Sequence, residues 1–371
     1  MAKKLLITYF FPPRIGGIEN YLYNLCSHLD PKEIVVLTRI YYQSQKFDSQ
    51  QKYKIIRTDF FPGKFSPRWR PLKKTIQEII INEGIEEIIF GHFHPWCLLG
   101  NELKIPYFIF VQGSDITQLK GWWQMRALKK TYFNDWCVKY LANSQFLAEK
   151  LTALTKHNYK TEIINPGINF SSFSQKITDF QSKKELLGLS DKDLILLSVC
   201  RLEPEKNIET IIKLMPELLL KVPNLKYLVV GDGSDLERLK DIAINQGVKY
   251  QVIFTGAVDN TDLSAKAFYY QLAHIFIIPS LKPEGFGISY LEAAAAKSVV
   301  IASKFGGSAE AIKNGETGIL VDPTNKEEIK STIIKLATNK ELWEKMSTAG
   351  VLWAKNFDWS IQLQKIKEII K

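Results

Sequence analysis

The chain is built from one repeated unit, a short apolar run rich in β-branched residues followed by a stretch with helical periodicity. KLLITYF precedes an amphipathic segment at 18–29, and IVVLT, EIIFG and PYFIFVQG continue the series. The second half repeats it with LILLSVC, the segment 207–221, KYLVVGDG, the segment 236–245, VIFTG, HIFIIPS and VVIAS. Strands that alternate with helices in this way form βαβ units and parallel sheets. Each half carries enough of them for a sheet of its own.

Size leads to the same division, because 371 residues exceed what a single hydrophobic core usually supports. The pattern breaks at TEIINPGINFSSFS, where Pro166 and Gly167 precede a serine-rich stretch and a charged segment at 183–185. The expected domains are therefore 1–170 and 171–355. A last helical pattern, within 356–371, carries Ile361, Leu363, Ile366, Ile369 and Ile370 and needs a surface to cover. With 46% hydrophobic and 24% charged residues, both halves lie in the globular range, far from disorder.

Cys26, Cys97, Cys137 and Cys200 are too scattered for a zinc motif or a disulfide framework, so a reducing compartment is expected. No apolar stretch approaches the roughly 18 residues that cross a bilayer. The opening run meets Pro12 and Pro13 with no small-residue cleavage site, which marks it as a buried first strand. A formal charge of +10 and a pI near 9.1 favour an anionic partner: a nucleic acid, an anionic membrane surface or a phosphorylated substrate.

Three segments carry chemistry. Gly16 and Gly17 stand between the first strand and a helix, where glycine lets backbone N–H groups approach a phosphate; a plain tight turn is the alternative. In SVCRLEPEKN, Arg201 and Lys206 fall in a loop at the C-terminal edge of a sheet, where ligands of open α/β folds bind. Two cations there can hold a diphosphate and stabilise it as it leaves, although solvated charges paired with Glu203 or Glu205 would look the same in sequence. In PEGFGISYLEAAAA, Glu284 falls in a glycine-flanked loop and Glu292 on the helix that follows. Acceptor-only carboxylates suit sugar and ribose hydroxyls; a surface acid and an acid beside the core are the alternative.

The ordered set GGIENYL, RLEPEKN, VVGDG and EGFGISYLEA resembles the retaining GT-B glycosyltransferases, specifically glycosyltransferase family 4, over nearly the whole chain. FPPRIGGIENYL is locally similar to the phosphatidylinositol mannosyltransferase branch. The resemblance implies an α/β GT-B fold, two Rossmann-like parallel-sheet domains facing a central cleft. The first would bind the acceptor and the second the donor, with the helix at 356–371 packing back on the first. It further implies that Arg201 and Lys206 hold the donor diphosphate, Glu292 the ribose and Glu284 the transferred sugar, with Arg201, Lys206 and Glu284 as the catalytic set. Gly16 and Gly17 would close over the phosphates, and the loop 254–258, with Gly256 and Val258, would lie beside the base. Gly285, Phe286, Gly287 and Ile288 would line the donor, and backbone amides of 305–308 would approach its sugar and phosphates.

The implied reaction moves a hexosyl group from a nucleoside-diphosphate sugar to a glycan or lipid-linked acceptor in cell-envelope polysaccharide or glycolipid synthesis. Retention of configuration, no metal and no other cofactor are implied with it. The opening motif favours GDP-mannose over UDP-hexoses. A nucleotide-sugar epimerase of the same fold and a non-catalytic nucleotide-sugar-binding partner are the rival classes.

One departure concerns the first domain. Many relatives have a histidine before the glycine where VQGSDIT supplies Gln112, Gly113 and Asp115. Glutamine is no acid or base but can bond a sugar hydroxyl, so Gln112 and Asp115 are expected acceptor or sugar contacts. His92 and His94 lack third and fourth ligands at metal spacing, and the D-x-D of Asp191 and Asp193 precedes a strand instead of following one. KFSPRWRPLKK and LKGWWQMRALKK mix cations with aromatics and contain no acid, which suits an anionic membrane surface or an ordinary solvated face equally. No recognition module accompanies the charge, so nucleic acid is not expected. The expected location is the cytoplasm, with a peripheral seat on the inner face of a membrane if those segments meet lipid.

Overall fold

The computed structural model describes residues 2–14, 16–59, 69–119, 121–259 and 262–370. The basic segment at 64–74 is therefore described only from Trp69 onward, and Lys120 lies outside the described residues.

The chain divides into two compact units, Met1–Pro166 with Trp359–Lys371, and Gly167–Asp358. The first holds seven strands: β1 (Lys4–Ile7), β2 (Ile34–Arg39), β3 (Lys54–Thr58), β4 (Glu87–Phe90), β5 (Tyr107–Val111), β6 (Cys137–Ala142) and β7 (Thr161–Ile163). Every pairing is parallel, in the order β3-β2-β1-β4-β5-β6-β7. All four residues of β1 and all five of β5 are buried, as a parallel sheet covered on both faces requires. The last helix, Trp359–Ile369, belongs to this unit, where Trp359 packs against Tyr21 and stacks on His28, with ring centres 5.5 Å apart in each case.

The second unit holds β8 (Leu194–Val199), β9 (Leu225–Val230), β10 (Val252–Gly256), β11 (Ile275–Ile278), β12 (Val299–Ser303) and β13 (Gly318–Val321). They pair in parallel in the order β10-β9-β8-β11-β12-β13. Successive side chains enter opposite cores: Ile195, Leu197, Phe276 and Ile278 one, Leu196, Tyr227, Ile275 and Ile277 the other. The helix Ile208–Lys221 covers one face with Ile208, Ile211, Ile212, Met215 and Leu218, which fall on one side of the helix at i, i+3, i+4, i+7 and i+10.

Strand order reverses at β1 in the first unit, between β2 and β4, and at β8 in the second, between β9 and β11. Loops at the C-terminal ends of strands beside such a reversal diverge and leave a crevice, the usual ligand position in open parallel sheets. Among the described residues no helix is long and apolar enough to cross a membrane.

Candidate active site

In the second unit the reversal is flanked by the loop after β8, which carries Arg201 and Lys206, and the loop after β11, which carries Glu284. The first is shaped from below by the VVGDG turn. Leu202 N–H donates to the Asp232 carbonyl at 2.9 Å, and Gly231 N–H to the Gly256 carbonyl at 2.9 Å. A Cβ on Gly231, whose φ is +148°, would overlap the Cys200 carbonyl oxygen, and one on Gly233 would overlap that of Leu202. These glycines let two backbones touch, which fixes the chain on both sides of Arg201. Leu202 is buried while Arg201 is exposed, and among the described residues the guanidinium has no side-chain partner.

Lys206 closes the short 3₁₀ turn Pro204–Lys206, and the next residue, Asn207, is tied down through its amide to the Pro323 carbonyl at 2.8 Å. Lys206 Nζ crosses the reversal to donate to Glu284 Oε1 at 2.8 Å, and Ser280 Oγ donates to the same oxygen at 2.5 Å. Both charged side chains are about one-fifth exposed, at 23% and 19%. Burial pushes the Glu284 carboxyl upward, but the Lys206 charge and the two hydrogen bonds outweigh it and hold Glu284 below the usual carboxylate range. Burial likewise pulls Lys206 down, and Glu284 more than restores it, leaving the ammonium above its ordinary value. The pair is thus ionised at neutral pH and links the two loops.

The backbone of Glu284 is pinned as well. Its carbonyl accepts from Gly307 N–H at 2.9 Å, and a Cβ on Gly307 would overlap the Gly285 carbonyl. The 305–308 segment therefore lies directly on the loop of Glu284, with one amide already committed to it. Phe286 is 3% exposed and packs near Phe357, which places its side chain in the core. Gly287, at φ +92°, starts the helix Ile288–Ala295, and Ile288 is half-buried at its first position. Glu292 is buried on that helix and accepts from Lys266 Nζ at 2.6 Å and the Tyr270 hydroxyl at 2.7 Å. Gly256 and Val258 are half-buried at the end of β10, next to the strand that leads into VVGDG. Asp191 and Asp193 lie at the opposite end of β8, bonded to Lys184 and to Ser190.

In the first unit, Gly17 opens the helix Gly17–His28 with Gly16 before it, and Ile15 lies outside the described residues. The first turn already contains an anion: Glu19 is 4% exposed, sits against Gly16 and pairs with Arg14 at 3.1 Å. A phosphate at this helix end would have to share it with that carboxylate. Asp115 accepts from the N–H groups of Gln112 at 3.1 Å, Gly113 at 2.7 Å and Phe93 at 3.0 Å, tying the loop after β5 to the loop after β4. Burial raises its pKa and these bonds oppose the rise. Gln112 is 9% exposed, and its amide donates to the Gly91 carbonyl at 3.3 Å.

His92 and His94 sit beside the reversal of the first sheet. His92 is 4% exposed, faces Phe10 with ring centres 4.7 Å apart, and its Nδ1 has no partner among the described residues. Burial, assisted by His94, pulls His92 down to about 3, and burial pulls His94 down to about 4, so both rings are neutral at pH 7. Among the described residues no group of three or more His, Cys, Asp or Glu side chains is placed to hold a metal.

Sequence reasoning did not single out Ser280, Lys266 or Tyr270. A signal existed for Lys266, the one charged residue in the otherwise uncharged LSAKAFYYQL of the helix Leu263–Leu272.

Comparison with known proteins gives the family and the fold. Residues 15–172 match the family described as Glycosyltransferase Family 4, and residues 179–353 match Glycosyl transferases group 1. The GDP-mannose-dependent alpha-(1-6)-phosphatidylinositol monomannoside mannosyltransferase of Mycolicibacterium smegmatis is 27% identical over 99% of this chain and 97% of its own. The GDP-mannose-dependent monoacylated alpha-(1-6)-phosphatidylinositol monomannoside mannosyltransferase of Corynebacterium glutamicum is 26% identical over 100% of this chain and 98% of its own. The Anabaena protein HepE, crystallised with UDP, superposes with a TM-score of 0.84 at 18% identity, covering 99% of each chain. Two parallel sheets of this order, joined to family matches across both units, give a GT-B protein, and the chain belongs to glycosyltransferase family 4.

Proposed function

We propose that the chain transfers a hexosyl residue from a nucleoside-diphosphate sugar to a glycan or lipid-linked acceptor in glycolipid or cell-envelope polysaccharide synthesis. The observation that carries this is the convergence of Arg201, Lys206 and Glu284 on the strand-order reversal of the second unit. Relatives named for GDP-mannose and phosphatidylinositol monomannoside support GDP-mannose over a UDP-hexose and a lipid-linked acceptor.

In this account Gly167–Asp358 binds the donor and Met1–Pro166 the acceptor. Arg201 and Lys206 hold the diphosphate, and their charges are worth more as the leaving group becomes more negative. Glu284 accepts from a sugar hydroxyl and Glu292 from the ribose. The bond between the anomeric carbon and phosphate oxygen breaks while the acceptor hydroxyl bonds to that carbon from the same face. The acceptor's proton passes to the departing phosphate, and configuration is retained. Metal-independent transfer is supported by the two cations at the diphosphate and by an Asp191–Asp193 pair at the wrong end of β8.

A peripheral seat on an anionic membrane surface, on its cytoplasmic side, is supported by the helix Trp122–Tyr132. It buries Ala127, Leu128, Thr131 and Tyr132 and exposes Arg126, Lys129 and Lys130. At its start Trp122 and Trp123 stack with ring centres 4.0 Å apart, 64% and 59% exposed. Aromatic and cationic side chains together suit the lipid headgroup region.

The test is a transfer assay with GDP-mannose and phosphatidylinositol mannoside in excess EDTA, with the product's anomeric configuration read by NMR. An α-mannosyl product formed in EDTA is expected. A β product, or activity restored only by magnesium or manganese, would contradict the mechanism.

A further inference from the structure

Glu292 is held from the neighbouring helix on both oxygens. Lys266 Nζ donates to Oε1 at 2.6 Å and the Tyr270 hydroxyl donates to Oε2 at 2.7 Å. Lys266 and Glu292 are each 5% exposed, and the ammonium also lies 5.7 Å from the centre of the Phe173 ring. Tyr270 is fixed in turn by an edge-on contact with Phe173, with ring centres 5.5 Å apart.

A buried Lys–Glu pair is a poor device for stability alone. Two ions must be stripped of water, and well-packed apolar residues of similar volume usually stabilise such a place as well or better. Its effect on Glu292, by contrast, is specific. A carboxylate offers about four lone-pair positions, and two are filled here, one on each oxygen. About two remain, one on each oxygen of a side chain that cannot rotate without breaking both bonds. That is the acceptor pattern for two adjacent hydroxyl donors.

We infer that Lys266 and Tyr270 are positioning residues that lock Glu292 as a carboxylate with one free acceptor site on each oxygen, set for the 2′ and 3′ hydroxyls of the donor ribose. The inference rests on the assignment of Glu292 to the ribose made above. Lys266 holds Oε1 through a short charged contact in the interior, and Tyr270, bonded to Oε2, fixes the plane of the carboxylate. Neither touches the nucleotide.

The test compares calorimetric binding of GDP with 2′,3′-dideoxy-GDP, and of UDP with 2′,3′-dideoxy-UDP, to wild type, K266M, K266R, Y270F and E292A. Removing the hydroxyls from the ligand and the support from the protein makes a coupling cycle. Wild type should prefer the ribose form of its own nucleotide by roughly tenfold or more, and E292A should bring that ratio close to one. K266M and Y270F should lower the ratio several-fold while changing dideoxy binding little, and K266R should recover part of it. A role in folding alone would move both ligands together. If K266M is not folded, Y270F, which leaves the ion pair intact, carries the test. Collapse of the ratio in E292A with the wild-type ratio kept in K266M and Y270F would overturn the inference and leave the ribose assignment standing. An unchanged ratio in E292A would overturn both.

Discussion

Replacing Glu284 with alanine should make the free nucleoside diphosphate bind more tightly while transfer becomes slower. The reason is the 2.8 Å bond from Lys206, which holds the cation on the carboxylate that it would otherwise offer to phosphate. A diphosphate reaching Lys206 also meets the Glu284 charge, and two like charges about 5 Å apart at an effective dielectric of about 40 repel by roughly 1.7 kcal/mol. Both side chains are about one-fifth exposed, so solvent screening lowers the net gain to about 1 kcal/mol. That corresponds to roughly fivefold tighter binding of GDP. Transfer should fall about ten- to a hundredfold from the loss of a charge-assisted bond to the sugar. Glu284→Gln removes the charge but keeps an acceptor, so it should tighten GDP equally and slow transfer less. Calorimetry with GDP and single-turnover rates with the intact donor separate the terms. Weaker GDP binding in both variants would refute the reasoning, since it would mean that Glu284 helps to hold the nucleotide instead of competing for Lys206.

Gly231→Ala should lower stability by about 1–3 kcal/mol and weaken GDP binding, because a Cβ at φ +148° overlaps the Cys200 carbonyl and must displace the loop of Arg201; thermal melts beside calorimetry check it, and wild-type behaviour in both would count against the close packing. Acid should destabilise the first unit through His92 and His94: the unfolded chain binds their protons below about 6.5, the native one only near 3 and 4, so stability falls as pH drops across that window. The slope reaches about 1.4 kcal/mol per pH unit for each ring, and the double variant His92→Gln, His94→Gln should flatten the melting profile between pH 6.5 and 4. Trp122→Ala with Trp123→Ala should reduce co-sedimentation with phosphatidylglycerol vesicles at least fivefold without changing GDP affinity, and unchanged sedimentation would remove the case for this helix as a lipid contact.

Most of the architecture was legible because it is written in periodicity. Runs such as LILLSVC and HIFIIPS are apolar at nearly every strand position, and only a sheet covered on both faces can bury both sets. The terminal helix was visible as an unpartnered apolar pattern, although its first anchor, Trp359, was not among the apolar residues that marked it. The loop residues Arg201, Lys206 and Glu284 were legible as motifs, but their mutual state was not. Lys206 and Glu284 stand 78 positions apart, and nothing local shows that they share a bond. The glycine turn of the first unit illustrates the opposite case. Gly16 and Gly17 suggest an anion site, yet Glu19, two positions on, reaches back to the same place, an intrusion that depends on rotamer and burial. Asp115 similarly reads as a free acid until its oxygens are found on three backbone N–H groups.

The central claim is that a nucleoside-diphosphate sugar binds at the reversal of the second sheet on Arg201 and Lys206 without a metal. Calorimetric titration of GDP-mannose in excess EDTA into wild type and Arg201→Ala tests it most directly. Arg201 is exposed and has no side-chain partner among the described residues, so its removal leaves no buried charge behind. Saturable wild-type binding, weakened roughly tenfold or more in the variant, is the predicted result. Equal binding to both proteins, or wild-type binding that appears only when manganese is added, would contradict it.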